Sequence, residues 1–279
     1  MHLATPDESF DLPIASGVLR AHRFGPADGR LVLCVPGLSA NSRSFDYLAT
    51  ELAAAGQKVV AVDLRGRGLS SISGPGSYGW NNHAKDVLDA ATALGAERFS
   101  LVGHSMGAFI GMATARRAPQ RIRRLALIDA AGRPEAAAVQ PILTAVQRLG
   151  SVYPDVEQYL ARVRSIGTVP WDEVWERHYR YDLVAVPGGV RSRTDRAAVF
   201  EDMAYGALQN PPDLWAALAM RTLLLRAARP LGTGFIVSAE DRDRFLATVA
   251  ASAAVEVDAN HYGIITHPAT SAALRSFLA

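Results

Sequence analysis

The stretch Phe99-Ser-Leu-Val-Gly-His-Ser-Met-Gly107 constrains this chain more than any other. An apolar strand, Phe99 to Val102, runs straight into Gly103-His104-Ser105-Met106-Gly107, and a helical run from Met106 to Arg117 leaves it. A strand that turns into a helix within so few residues forces its central residue into strained backbone geometry, and only glycine tolerates the crowding on either side. Such a turn raises the Ser105 hydroxyl above a sheet edge at a helix N-terminus, where backbone N–H groups and the helix dipole favour negative charge. The other reading of the same residues is a tight turn with an inert serine.

The remainder of the first half repeats the theme. Leu31–Val35, Lys58–Val62 and Ile122–Ile128 are short, apolar and rich in branched residues. Helical stretches at 44–55, 82–94 and 106–117 separate the strands. Continuous apolar strands alternating with helices of about a dozen residues indicate a mostly parallel sheet covered on both faces, with right-handed crossovers. The alternation stops at 132–215, which reads as helices joined by loops and holds Tyr153, Tyr159, Trp171, Trp175, His178, Tyr179 and Tyr181. It resumes with a strand at 221–226, a helix at 241–250, a strand at 254–257 and a last helix at 268–278. The organisation read from this is an α/β core at 1–131 and 216–279, interrupted at 132–215 by a helical cap inserted before the last two strands.

Composition excludes several classes. Of 279 residues, 49% are hydrophobic and 20% charged, the profile of a globular chain long enough to build its own core. One cysteine, Cys34, forbids an intramolecular disulfide and a cysteine-based zinc site. A net charge of +2 is too small for an electrostatic nucleic-acid binder, and only Lys58 and Lys85 among 29 basic residues are lysine. Residues 1–30 mix charges with short apolar patches rather than forming a targeting segment. The longest uncharged run, Phe99 to Ala115, is short and polar for a membrane span. A soluble cytoplasmic protein is expected, with neither cofactor nor metal, and a homodimer is compatible with the chain.

A nucleophilic serine needs a base. Of seven histidines, His2 is terminal, His22 and His83 lie early, and His267 precedes Pro268. His104 adjoins Ser105 and reads as structural, while His178 sits in the insertion, within range of a substrate. His261 lies in Asp258-Ala-Asn-His-Tyr-Gly263, a loop after the last strand with one helix remaining. Loops at the carboxyl ends of parallel strands converge on the site, which puts His261 and Ser105 on one edge.

The order of elbow serine, acid and loop histidine resembles that of the α/β-hydrolase fold family, in its serine esterase and lactonase branch with a helical cap domain. Val35-Pro-Gly-Leu38 is similar to the family's oxyanion segment, with Pro36 at the place of its usual histidine. Asp63-Leu-Arg-Gly-Arg-Gly-Leu-Ser70 is similar to its D-x-R-G-x-G-x-S turn, read here as structural with Asp63 and Arg65 paired. The resemblance implies an oxyanion hole made of the Leu38 and Met106 N–H groups. It places the acid either after the strand that follows the cap, where Glu240, Asp241 and Asp243 are the first carboxylates, or at the end of the strand before the cap. Asp129 holds that second place, which is also the acid position of some lactone-cleaving members. Trp171, Trp175, His178 and Tyr179 are candidates for a substrate roof, or for ordinary helix packing.

The reading is a cofactor-independent serine hydrolase that cleaves an ester or lactone of a small, partly apolar molecule through an acyl-enzyme on Ser105. His261 is its base and Asp129 orients that base. The same scaffold also supports carbon–carbon bond hydrolysis and acyl transfer, and a chain that kept only the pocket would be a ligand sensor.

Overall fold

The computed structural model describes residues 3–279. Eight strands form one sheet in the order β1-β2-β4-β3-β5-β6-β9-β10. They are β1 (Glu8–Ile14), β2 (Gly17–Phe24), β3 (Leu31–Val35), β4 (Lys58–Val62), β5 (Phe99–His104), β6 (Ile122–Ile128), β9 (Arg221–Ala227) and β10 (Ser252–Val257). From β4 to β10 all neighbours are parallel, whereas β1 pairs with β2, and β2 with β4, in antiparallel fashion. Every residue of β3 and β5 is buried, as expected for central strands covered on both faces.

The β1–β2 hairpin is not part of the alternation read from the sequence. A weak signal is present all the same: Phe10, Leu12 and Ile14 alternate with Ser9, Asp11 and Pro13, and Ala15-Ser16 link the two strands. Pro13 is tolerated because β1 is an edge strand.

Helices α1 (Asp46–Ala54), α2 (Trp80–Ala93), α3 (Met106–Arg117), α8 (Ala239–Thr248) and α9 (Pro268–Leu278) connect or follow the strands. A 3-10 turn at Ser42–Phe45 precedes α1, with Asn41 accepting from the Arg43 N–H as its cap. The chain leaves β3 toward β4 on one side of the sheet and β5 toward β6 on the other, so the strand order reverses between β3 and β5. Crevices open at such reversals, beyond the carboxyl ends of the strands.

Residues between β6 and β9 pair with no strand of the main sheet. They form α4 (Ala136–Val146), α5 (Val156–Ile166), α6 (Glu173–Tyr181), the hairpin β7 (Leu183–Val186) and β8 (Gly189–Ser192), and α7 (Arg196–Ala207). The hairpin corrects the expectation of helices and loops alone. Pro187-Gly188 turns it, with Gly188 at φ 88°, a conformation glycine adopts without strain. Among the described residues, no helix is long and apolar enough to cross a membrane.

Candidate active site

Ser105 stands between β5 and α3 at φ 55° and ψ −124°, a region that side-chain-bearing residues rarely adopt. The glycines on either side explain how this geometry is reached. A Cβ on Gly103 would lie 2.2 Å from the Gly107 carbonyl oxygen, and one on Gly107 would lie 2.0 Å from that of Val35. Backbone atoms cannot yield as a side chain can, so both positions require glycine.

Asp129 is the residue just beyond β6, also at positive φ (48°), and is 1% exposed. Its N–H donates to the Leu225 carbonyl at 2.7 Å, and its Oδ1 accepts from the Ala227 N–H at 2.9 Å. The end of β9 therefore anchors Asp129 twice, once through its backbone N–H and once through its carboxylate. The other oxygen, Oδ2, is 2.8 Å from His261 Nδ1, and His261 Nε2 is 3.0 Å from Ser105 Oγ. A carboxylate accepts, so Nδ1 carries the ring proton and Nε2 accepts the hydrogen bond of the Ser105 hydroxyl.

The loop that carries His261 is braced locally. Asn260 Oδ1 accepts from the N–H groups of Tyr262 (3.1 Å) and Gly263 (2.8 Å), and its amide donates to the Thr168 carbonyl at 3.0 Å. His104 packs its ring 4.7 Å from that of His261 and donates from Nε2 to the His261 carbonyl at 2.9 Å. Burial, with the neighbouring His261, lowers the His104 pKa to about 3, so it stays neutral and acts as a brace.

The turn after β3 lies beside the serine. A Cβ on Gly37 would be 3.1 Å from Ser105 Cβ, and Leu38 and Met106 both line the cavity that Ser105 opens into. Neither the Leu38 nor the Met106 N–H finds a protein acceptor among the described residues. Arg67, fully buried, holds this turn from below. Its Nε donates to the Leu38 carbonyl at 2.9 Å and Nη1 to the Arg65 carbonyl at 2.9 Å, while Nη2 sits 2.7 Å from Asp202 Oδ2 in a close ion contact. Asp202, on α7, also meets His83 Nε2 at 3.0 Å and accepts from the Gly79 N–H at 2.6 Å. Burial alone would raise its pKa, but His83, Arg67 and Gly79 bring it down to about 2.

The pairing expected of Asp63 and Arg65 is corrected. Arg65 Nε pairs with Asp86 at 2.5 Å, and Asp63 accepts instead from Ser42, Leu69 and Tyr181. Asp63 lies under the turn at 41–45 and fixes it, which leaves Arg65 to reach across to α2. Of the alternative acids, Glu240 is exposed, Asp241 pairs with Arg244 at 3.1 Å and Asp243 with Arg242 at 2.8 Å, so α8 turns all three away from His261.

Two cavities meet at Ser105. One of about 650 Å³ is walled largely by aliphatic and aromatic groups, among them Phe109, Val139, Ile142, Leu143, Met203 and Ile236. A second of about 40 Å³ is bordered by Arg148, Trp175, His178, Tyr179 and His261. Trp175, His178 and Tyr179 thus reach the site, whereas Trp171 lines neither cavity. It stacks on Tyr179 at 5.7 Å with the Arg164 guanidinium 4.4 Å over its ring, which makes it packing rather than roof. The α4 and α7 residues of the large cavity escaped the sequence reading because nothing in their spacing tells a cavity wall from ordinary helix packing. His2 lies outside the described residues. Among the described residues, no three His, Cys, Asp or Glu side chains converge as metal ligands would.

Comparison with known proteins agrees with this architecture. Residues 30–164 match the profile of the alpha/beta hydrolase fold. A serine hydrolase-like protein of Danio rerio is 36% identical over 124 residues, 44% of this chain and 38% of that protein. A putative carbamate hydrolase RutD of Variovorax paradoxus (strain S110) is 35% identical over 112 residues, 40% of this chain and 42% of that protein. The match spans less than half the length of either of these curated relatives. Over the whole fold, a hypothetical protein of Pseudomonas aeruginosa PAO1 superposes with a TM-score of 0.75 at 30% identity, covering 97% of this chain and 98% of that one. The chain belongs to the α/β-hydrolase fold family.

Proposed function

We propose that this chain is a serine hydrolase that cleaves a carboxylic ester or lactone of a partly apolar molecule through an acyl-enzyme on Ser105. The observation that carries the reading is the unbroken hydrogen-bonded line from Asp129 Oδ2 through both ring nitrogens of His261 to Ser105 Oγ, ending at the mouth of an apolar cavity. Ser105 Oγ attacks the carbonyl carbon as His261 Nε2 takes its proton, and Asp129 stabilises the imidazolium. The Leu38 and Met106 N–H groups hold the developing oxyanion, each worth about 10²–10³ in rate. His261 returns its proton to the leaving alkoxide, then activates a water that releases the acid and restores Ser105. No step calls for a cofactor.

The acyl portion fits the large cavity, whose aliphatic walls favour a hydrocarbon chain or ring over a polar group. Residues 132–215 act as the cap, with α4 and α7 contributing much of the cavity wall. Likeness to a putative carbamate hydrolase supports a second reading, in which the scissile bond is C–N and the same residues act in the same order. Turnover of p-nitrophenyl hexanoate and of the matching anilide tests both. Ester hydrolysis that Ser105→Ala abolishes supports the first reading, faster anilide hydrolysis supports the second, and ester turnover equal in Ser105→Ala contradicts both.

A further inference from the structure

The two cavities that meet at Ser105 differ in chemistry as much as in size. Arg148 borders the small one at 7% exposure. Its Nε donates to the Tyr159 hydroxyl at 3.2 Å and its Nη1 to the Ala145 carbonyl, while Nη2 has no acceptor among the described residues. Asp182, the acidic side chain that acts on Arg148, is engaged by Ser192 and Thr194. A buried guanidinium without a carboxylate in contact is costly to keep. On the same wall two buried polar atoms, Trp175 Nε1 and His178 Nδ1, have no hydrogen-bond partner among the described residues, and burial holds His178 neutral with a pKa of about 3. Native interiors leave few such groups, and they seldom gather by chance beside a reactive hydroxyl.

We propose that this small cavity is an anion subsite in which Arg148, supported by Trp175 and His178, binds a carboxylate carried by the substrate's leaving group. The side of the scissile bond follows from which cavity each group borders. His261 lines the small cavity and not the large one, whereas Met106 lines the large and not the small. The leaving group takes its proton from His261, so it departs on the small side while the acyl group occupies the large one. On the acyl-enzyme reading, on which this rests, the substrate is an apolar acyl group esterified to a compact hydroxy acid. Hydrolysis breaks the acyl C–O bond, water supplies oxygen to the acyl carbon and a proton to the alkoxide, and the products are an apolar carboxylic acid and the hydroxy acid. A subsite of about 40 Å³ limits that hydroxy acid to a few heavy atoms.

The test compares the hexanoyl ester of hydroxyacetate with that of hydroxyacetamide, its neutral isostere. A charge-assisted hydrogen bond predicts a kcat/KM about 10- to 100-fold higher for the carboxylate ester. That ratio falls toward one in Arg148→Met, whatever the absolute rates. Hydroxyacetate itself inhibits competitively in the wild-type protein, a readout that needs no variant to fold. Equal kcat/KM for the two esters in the wild type, or a ratio that survives in folded Arg148→Met, overturns the subsite. If neither ester is cleaved, the ester reading fails separately, and hydroxyacetate binding then decides the subsite through tryptophan fluorescence, with Trp175→Phe identifying the share that comes from Trp175. Quenching abolished by Arg148→Met sustains it, and no quenching refutes it.

Discussion

Replacing Arg67 by Met removes a fully buried cation while keeping most of its length. Three contacts disappear: two hydrogen bonds at 2.9 Å to the Leu38 and Arg65 carbonyls, and the 2.7 Å ion contact with Asp202. Asp202 keeps His83 and the Gly79 N–H but loses its permanent positive partner. Breaking one side of a buried pair costs about 3–5 kcal/mol. At about 2–4 °C per kcal/mol for a chain of this size, the unfolding midpoint falls by about 6–20 °C. Turnover falls for a separate reason, because the Leu38 carbonyl is the handle by which the core holds the turn beside Ser105. Displacing one oxyanion donor lowers kcat by about 10²–10³. Thermal unfolding and p-nitrophenyl ester turnover, measured on Arg67→Met and on Arg67→Met/Asp202→Leu, separate the two effects. The second change removes the stranded carboxylate and recovers part of the stability, but not the turnover. A stability loss under about 1 kcal/mol, or a double variant that regains full turnover, refutes this account of Arg67.

Gly107→Ala puts a Cβ 2.0 Å from the Val35 carbonyl and abolishes soluble folded protein or turnover, whereas Gly74→Ala meets nothing within 4 Å and changes neither; solubility and ester turnover of the pair check this. Asp129→Asn lowers kcat by orders of magnitude with the fold intact, because the amide no longer holds the His261 tautomer that Ser105 needs, and Asp243→Asn leaves turnover unchanged. Burial raises the Asp46 carboxyl to about 7, against the opposing charge of Arg43. Because the folded pKa is above the unfolded one, ionisation of Asp46 destabilises the fold fully above about pH 7 and not at all below about pH 4. Asp46→Asn is therefore stabilising by on the order of 4 kcal/mol at about pH 8.5 and nearly neutral at about pH 4, as thermal unfolding at the two pH values reports. An equal effect at both pH values contradicts that assignment.

What the sequence disclosed follows from how local each signal is. Strands β3, β4 and β6 and helices α3 and α9 stand where their apolar runs and flanking Gly, Pro and Arg residues put them. The elbow was readable because its glycines answer to backbone collisions within a few residues, and the Gly107 collision with β3 adds only one further strand. The β1–β2 hairpin was missed because its alternation is weak: Pro13 and scattered charges blur the period of two. The Arg67–Asp202 contact joins positions far apart in the chain, and no spacing rule reaches that far. The same holds for the large cavity, which draws residues from α3, α4 and α7, and for Arg148, whose position at the end of a helix resembles that of any solvated arginine. In the turn at 63–70, charge complementarity suggested Asp63 with Arg65, but the hydroxyls of Ser42 and Tyr181 satisfy Asp63 and leave Arg65 to Asp86.

The central claim is that Asp129 and His261 make Ser105 a nucleophile. Its most direct test is intact-mass and peptide analysis after treatment with a small fluorophosphonate. The account predicts one adduct, on Ser105, formed by the wild-type protein and lost in His261→Ala. A folded wild-type protein that stays unmodified, or labelling of Ser105 that persists at the same rate without His261, would contradict it.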